Sequence, residues 1–263
     1  MTLRTLMILL IFAVSPVSAG AALAQDHDER VNYFTNSKDV KGDVKATVKK
    51  AKSNNKLALI IMGANWCHDT RSLMESLDDP AMKTALEGYE VTRVNMDQYD
   101  DALKVVKNYG KATVYETPTV MIIDPKTKKL VNSHTMHQWR DAYKMSLEEK
   151  VAYFETMKDL ANHAKKSPNV KDSVLKASLK DITAFEAKHA ARIEAVYGKF
   201  IRYVEDDVEG RPENFNDLWG ELWGLRSTLT DDVARLRSEA MAQHASGKAI
   251  AVTYPKYEKF SWE

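Results

Sequence analysis

Apolar residues in the first half of the chain fall into short, separated runs. Leu57-Ala58-Leu59-Ile60-Ile61-Met62 is short and β-branched enough for a buried strand, and a strand is expected over 56–62. Tyr89–Met96 reads as a second strand. Thr119–Ile123 pairs with Lys129–His134 as a hairpin across Asp124-Pro125-Lys126. Helical spacing fills the intervals. Val44 and Val48 sit in a lysine-rich stretch that predicts a helix over 40–53. Arg71–Leu77 continues a helix opened near Cys67, and Pro80 starts a short one to Leu86. Asp100 or Asp101 is placed to cap a helix running to Tyr109, with Gly110 as its stop. Ser146-Leu147-Glu148-Glu149 is a capping box. It opens a helix whose Leu147, Val151, Phe154, Met157 and Leu160 form one stripe.

From Ser167-Pro168 onward the period is helical almost throughout. Leu175, Leu179, Ile182, Ile193, Val196, Phe200 and Tyr203 make a seam of three- and four-residue steps, interrupted by Glu186 and His189. After Gly210 and Pro212, a second seam carries Leu218, Leu222, Leu225, Leu229 and Leu236 and stops before Gly247. Two seams joined by a short turn predict an antiparallel helical hairpin over 168–247. Its first helix, about forty residues, would reach roughly 60 Å if unbroken, so it must kink, project or pair. A two-helix hairpin buries its seams on one side only, and Phe185, Trp219 and Trp223 need a further surface. The length of the first helix favours a second subunit, which predicts a homodimer through 168–247. The hairpin holds no clustered acid, base or nucleophile and reads as an assembly device. A tail over 248–263, with Tyr254, Tyr257, Phe260 and Trp262, is expected to dock.

The chain begins with Arg4, an apolar stretch from Leu6 to Val14, a break at Ser15-Pro16 and small residues Ala22-Leu23-Ala24. This pattern predicts a signal peptide over 1–24, cut before Gln25, and a periplasmic or secreted product of a bacterial cell envelope. The alternative is an uncleaved anchor, but the run is shorter than the ~20 residues a spanning helix needs, so stable membrane insertion is not expected. Residues 25–39 read as a mobile N-terminal segment. With a net charge of +1, 44% hydrophobic and 29% charged residues, the chain has enough apolar content for a core and no field that invites nucleic acid. Its one cysteine, Cys67, excludes an internal disulfide framework. It leaves a reactive thiol, an intermolecular pairing or an inert buried residue.

Cys67 stands in Gly63-Ala64-Asn65-Trp66-Cys67-His68-Asp69-Thr70, between strand and helix. Unpaired N–H groups and the helix dipole at such a seam favour the thiolate. The turn resembles the active-site turn of the thioredoxin superfamily. Val91–Asp97 resembles the strand after the active-site helix. Tyr115–Asp124 resembles the segment whose cis-proline faces the cysteine. The resemblance covers residues 40–167 and implies an α/β thioredoxin-like fold, a central mixed sheet flanked by helices, followed by the helical hairpin. It also implies a cis bond before Pro118 and a groove along Trp66, Thr117 and Pro118 that holds an extended peptide. The chain departs from the redox pattern twice. Thr70 replaces the resolving cysteine, and Ile61 replaces a buried carboxylate.

Cys67, His68 and Thr70 are therefore the candidate catalytic residues. His68 is either an imidazolium partner of the thiolate or a side chain projecting into water. Thr70 either donates to the Cys67 sulfur or caps backbone groups, and Asp69 fits the first turn of a helix. His134 and His137 add ligand types, but the spacing of a metal site is missing; no metal and no cofactor is expected. Two functions stay open. One is monothiol disulfide exchange, of isomerase or deglutathionylation type, on a thiol- or disulfide-containing protein or a small thiol. The other is a non-catalytic thioredoxin-fold scaffold that assembles through its helical arm.

Overall fold

A computed structural model describes residues 31–164, 173–204, 209–261 and 263. The expected signal peptide over 1–24 and its expected cleavage site, residues 25–30, the Ser167-Pro168 junction and Trp262 lie outside the described residues. Helix α1 (Val40–Ser53) leads to β1 (Leu57–Gly63), α2 (His68–Ser76), α3 (Pro80–Leu86), β2 (Tyr89–Asn95), α4 (Tyr99–Asn108) and β3 (Thr119–Asp124). Then follow β4 (Lys129–Leu130), a 3-10 segment (Met136–Lys144), α5 (Leu147–Ala164), α6 (Ser173–Phe200) and α7 (Phe215–Ala245).

The sheet order is β2-β1-β3-β4. β1 runs parallel to β2, with Leu57 opposite Tyr89, and antiparallel to β3, with Ile60 opposite Met121. This is a thioredoxin-like sheet with a helical C-terminal part. β1 shows no polar alternation because both its faces are covered. Ile60 and Met62 belong to a core with α1, α4, α6 and α7, whereas Leu59 and Ile61 pack with Leu73, Met74, Trp139 and Phe154.

Caps explain several helix starts. The Asp39 carboxylate accepts from the Gly42 N–H at α1, and Asp79 accepts from Ala81 ahead of Pro80 at α3. The predicted cap of α4 is corrected. The helix begins at Tyr99, continuing a 3-10 turn (Met96–Gln98) in which Asn95 accepts from the Asp97 N–H. Asp100 and Asp101 fall inside the first turn, where the dipole favours carboxylates without a cap bond. Gly110 ends this region at φ +80°, as its lack of a Cβ allows.

The predicted hairpin partner over 129–134 shrinks to Lys129–Leu130. The Asn132 side chain takes over the ladder. Its Oδ1 accepts from the Ile122 N–H at 2.9 Å and its Nδ2 donates to the Val120 carbonyl at 2.8 Å, so β3 is satisfied without a longer strand.

At α5 the capping box forms in both directions. The Glu149 N–H donates to Ser146 Oγ at 3.2 Å, and the Ser146 N–H donates to Glu149 Oε2 at 2.8 Å. The predicted stripe holds through Phe154 and Met157, which are buried, but Leu160 is 48% exposed. Each three-residue step lags the helix by about 60°. Two such steps from Phe154 carry Leu160 off the inner face, and Ala161 is buried in its place.

α6 and α7 run antiparallel, pairing Phe200 with Phe215, Tyr197 with Trp219 and Glu186 with Arg237. α6 has 28 residues, about 42 Å, not the forty expected. The arm does not project. Ile182, Ile193, Tyr197, Leu222 and Leu229 share one core with Ile60, Tyr99 and Tyr115 of the sheet-bearing part. Lys107 bridges to Glu194 at 2.8 Å, and Arg140 binds Asp231 at 2.9 and 3.0 Å. Most of both seams is thus covered within one chain, with Phe185 and Trp219 packed against that core, whereas Trp223 stays 56% exposed. Glu186 and His189, which break the first seam, are both buried. Glu186 accepts from Tyr115 Oη at 3.0 Å and from Arg237 at 2.8 Å, and His189 lies between Phe185 and Tyr257. The tail docks there too, with Phe260 buried under the Arg192 guanidinium and Tyr257 Oη donating to Asp232.

Glu90 offers a pH test of the α1–β2 contact. Hydrogen bonds from Lys50 and Asn54, with Lys56 nearby, hold its carboxyl down to about 2. A depressed folded-state value means stability present above the ordinary carboxylate range and lost as pH falls toward 2. Because Lys50 is largely exposed, the contribution is discounted to about 1 kcal/mol. Glu90→Gln is expected to lower the urea midpoint at pH 7, and its deficit should vanish between pH 4.5 and pH 2. A deficit that stays constant over that range would exclude the carboxylate as its source.

Candidate active site around Cys67

The turn after β1 is held from both sides. A Cβ on Gly63 would lie 2.5 Å from Thr70 Cγ2 and 2.6 Å from Phe34 Cζ, so only glycine lets the strand end this close to α2. The Asn65 side chain pins the preceding strap, accepting from the Phe34 N–H at 3.0 Å and donating to its carbonyl at 2.9 Å. Cys67 is then the N-cap residue of α2.

Cys67 as a residue is 7% exposed, and its Sγ donates to the Thr117 carbonyl at 3.1 Å. Thr117–Pro118 is a cis bond, so the structure brings together Cys67, Thr117 and Pro118 from distant parts of the chain. Here the expectation of a depressed thiol is corrected. Burial pushes the Cys67 thiol up and the Asp69 charge adds to this, while the nearby Thr70 hydroxyl and the backbone N–H groups of Thr70 and Asp69 favour the thiolate and oppose it. The helix N-terminus is present, but loss of water outweighs it, and the bond to a carbonyl acceptor holds the proton.

His68 contacts Asp69 and Tyr143. Its side chain is mostly exposed, its Nε2 lies 3.1 Å from Asp69 Oδ2, and its ring meets Tyr143 edge-on at 4.7 Å. Asp69 is buried and accepts the Tyr143 N–H at 3.0 Å; burial pushes its carboxyl up. The Asp69 carboxylate therefore ties α2 to the 3-10 segment. The Thr70 hydroxyl is fully buried and makes no formed hydrogen bond. It lowers the thiol value of Cys67, as a donor waiting for a thiolate one helical turn away would.

The wall opposite Cys67 comes from the arm, and sequence reasoning missed it. A cavity of about 240 Å³ is bounded by Trp66, Cys67 and Thr117 on one side and by Tyr197, Trp219 and Arg226 on the other. Tyr197 Oη and Thr117 Oγ1 share a hydrogen bond at 3.0 Å. Arg226 is 5% exposed, donates through Nε to the Tyr115 carbonyl, and lies 4.1 Å over the Tyr197 ring. Glu116 also lines the cavity; burial pushes its carboxyl up against the pull of Lys111, Arg226 and Arg140. One sequence signal existed. Arg226 falls on the face of Trp219, Leu222, Leu229 and Val233, a charge inside an apolar seam. His134 and His137 line a separate gap with Glu116 and Glu186. Among the described residues no three His, Cys, Asp or Glu side chains converge as a metal site, and no helix is long and apolar enough to cross a membrane.

No protein-family model matches the chain, and no curated protein matches it. Among solved structures, the chain is similar to the disulphide isomerase from Xylella fastidiosa Temecula1, with 23% identity and a TM-score of 0.44 over 49% of this chain and 98% of that chain.

Proposed function

We propose that this protein carries out monothiol disulfide exchange through Cys67, as an exported protein of a bacterial cell envelope. The carrying observation is the position of Sγ, at the head of α2, 3.1 Å from the Thr117 carbonyl and open to the cavity. Cys67 as thiolate attacks one sulfur of a disulfide. The Cys67–S bond forms, the old S–S bond breaks, and the departing thiolate takes up a proton. Thr70 then donates to the sulfur in the thiolate state. Since no second cysteine exists in the chain, a thiol from outside must release the mixed disulfide. The cycle supports isomerisation or deglutathionylation and gives no net oxidation. Export rests on the Arg4 to Ala24 pattern.

A second reading, a non-catalytic scaffold, is favoured by one observation: the arm lies across the cysteine and burial holds the proton on it. Incubation of the mature chain with hydroxyethyl disulfide, followed by intact mass, separates the two. An adduct is expected on Cys67, absent in Cys67→Ser and released by added 2-mercaptoethanol. Because burial raises the thiol value, the rate of adduct formation is expected to keep climbing from pH 7 to pH 9. No adduct under conditions that convert free 1-thioglycerol to its mixed disulfide would leave the scaffold reading.

A further inference from the structure

The chain itself uses the polar groups that an extended peptide would need at this groove. The Thr117 carbonyl receives the Cys67 thiol, the Tyr115 carbonyl receives Arg226 Nε, and the Thr117 hydroxyl pairs with Tyr197. β-Strand addition depends on such backbone groups being available. What remains beside the sulfur is a pocket of about 240 Å³, below the ~300 Å³ at which sites for drug-sized ligands begin.

Its chemistry is set by Arg226. This guanidinium is 5% exposed and stacks on Tyr197 and Trp219. Its Nε is spent on Tyr115, but its two terminal nitrogens have no hydrogen bond to any described residue, and no described carboxylate lies within 4 Å of them; Glu116 feels its charge from farther off. Arg140, the other guanidinium on the cavity wall, is already held in a fork by Asp231. Glu116 is the nearby acid, and burial drives it toward its neutral form. A buried arginine stacked on an aromatic ring, with its fork open toward a pocket, is built for a planar anion.

We infer that the pocket between Cys67 and Arg226 binds a low-molecular-weight disulfide carrying a carboxylate. The carboxylate takes the Arg226 fork and places a sulfur against Cys67. Attack then forms the Cys67–S bond and breaks the S–S bond of the small molecule, whose other half leaves as a thiolate and is protonated. This inference rests on the thiol–disulfide reading and adds the substrate class.

The test compares three small disulfides on the full mature chain: 3,3′-dithiodipropionate (anionic), hydroxyethyl disulfide (neutral) and cystamine (cationic). Rates of mixed-disulfide formation come from intact mass and are normalised to the same reagents acting on 1-thioglycerol, a neutral thiol whose mixed disulfide with each reagent has its own mass. The anionic reagent is expected to be favoured about tenfold or more over the cationic one, the size of one charge-assisted hydrogen bond. Arg226→Gln should abolish the preference and Arg226→Lys should keep part of it. Ratios within one protein are insensitive to a general loosening of the arm. Equal normalised rates in the wild type would overturn the inference and leave the thiol reading standing. A preference that survives in folded Arg226→Gln would overturn the role of Arg226. A Cys67 inert to all three reagents would overturn both readings.

Discussion

Trp139→Ala is expected to cost about 3–5 kcal/mol of folding free energy, read as a fall in melting temperature of about 10 °C. Trp139 is completely buried in the 3-10 segment, with ring centroids 4.9 Å from Tyr153 and 5.2 Å from Phe154. It fills the layer between α5 and the β1 face that carries Leu59 and Ile61. The segment also delivers the Tyr143 N–H to Asp69, so its loss should loosen the start of α2 as well. The Trp139 indole N–H is buried without a hydrogen-bond partner. Trp139→Phe removes that orphan donor while keeping most of the ring contact, and is expected to cost under about 2 kcal/mol. A Trp139→Ala protein melting within about 2 °C of wild type would show that the segment is peripheral to the core.

The contrast between that segment and β1 shows where the sequence is legible. β1 is a continuous apolar run because both faces are covered, and local pattern suffices to find it. α1 and α3 announce themselves through Asp39, Asp79 and Pro80, whose side chains act on their own backbone neighbours. The 3-10 segment buries Met136, Trp139 and Ala142 at every third residue, a spacing too short-lived to read as a helix, and the ring partners of Trp139 lie in α5. Asn132 replaces two rungs of a strand with its side chain, an exchange invisible to a hydrophobicity pattern.

The candidate site divides the same way. Cys67, Thr117 and Pro118 were legible because they sit in local motifs. Tyr197 and Arg226 were not, since a helical seam reveals which face is covered and never by what. The expected subunit interface started from that gap. Tyr197 and Trp219 of the hairpin meet a covering surface in their own chain, and that surface includes the thiol, while Trp223 stays exposed. For His68 the sequence left two placements open, and the exposed one has a cause no local motif shows: its neighbour Asp69 is buried against the 3-10 segment and holds the imidazole by Nε2.

Ending the chain after Lys166 tests this arrangement directly. Sequence reasoning expects a folded thioredoxin-like monomer whose Cys67 reacts as before; the structure predicts the opposite for the thiol. Without α6 and α7 the cavity opens, because Tyr197, Trp219 and Arg226 form its far wall. The main cause that raises the Cys67 thiol, its burial, is thereby reduced, while the helix N-terminus and Thr70 stay in place. The alkylation midpoint with iodoacetamide should move down. The rate at pH 7 should rise by roughly tenfold or more, since accessibility and thiolate fraction increase together. Stability should fall at the same time, because Tyr99, Val114 and Tyr115 lose an apolar covering worth about 1.5–3 kcal/mol per fully buried side chain. Near-ultraviolet circular dichroism establishes whether the shortened chain keeps its tertiary packing. Tyr197→Ala in the full chain gives a second route, removing the hydroxyl bonded to Thr117 and one aromatic wall without cutting the backbone. Its alkylation midpoint should move in the same direction by a smaller amount. If a folded truncated chain and Tyr197→Ala both keep the wild-type midpoint, the arm has no hold on the thiol, and burial of Cys67 must come from the sheet-bearing part alone.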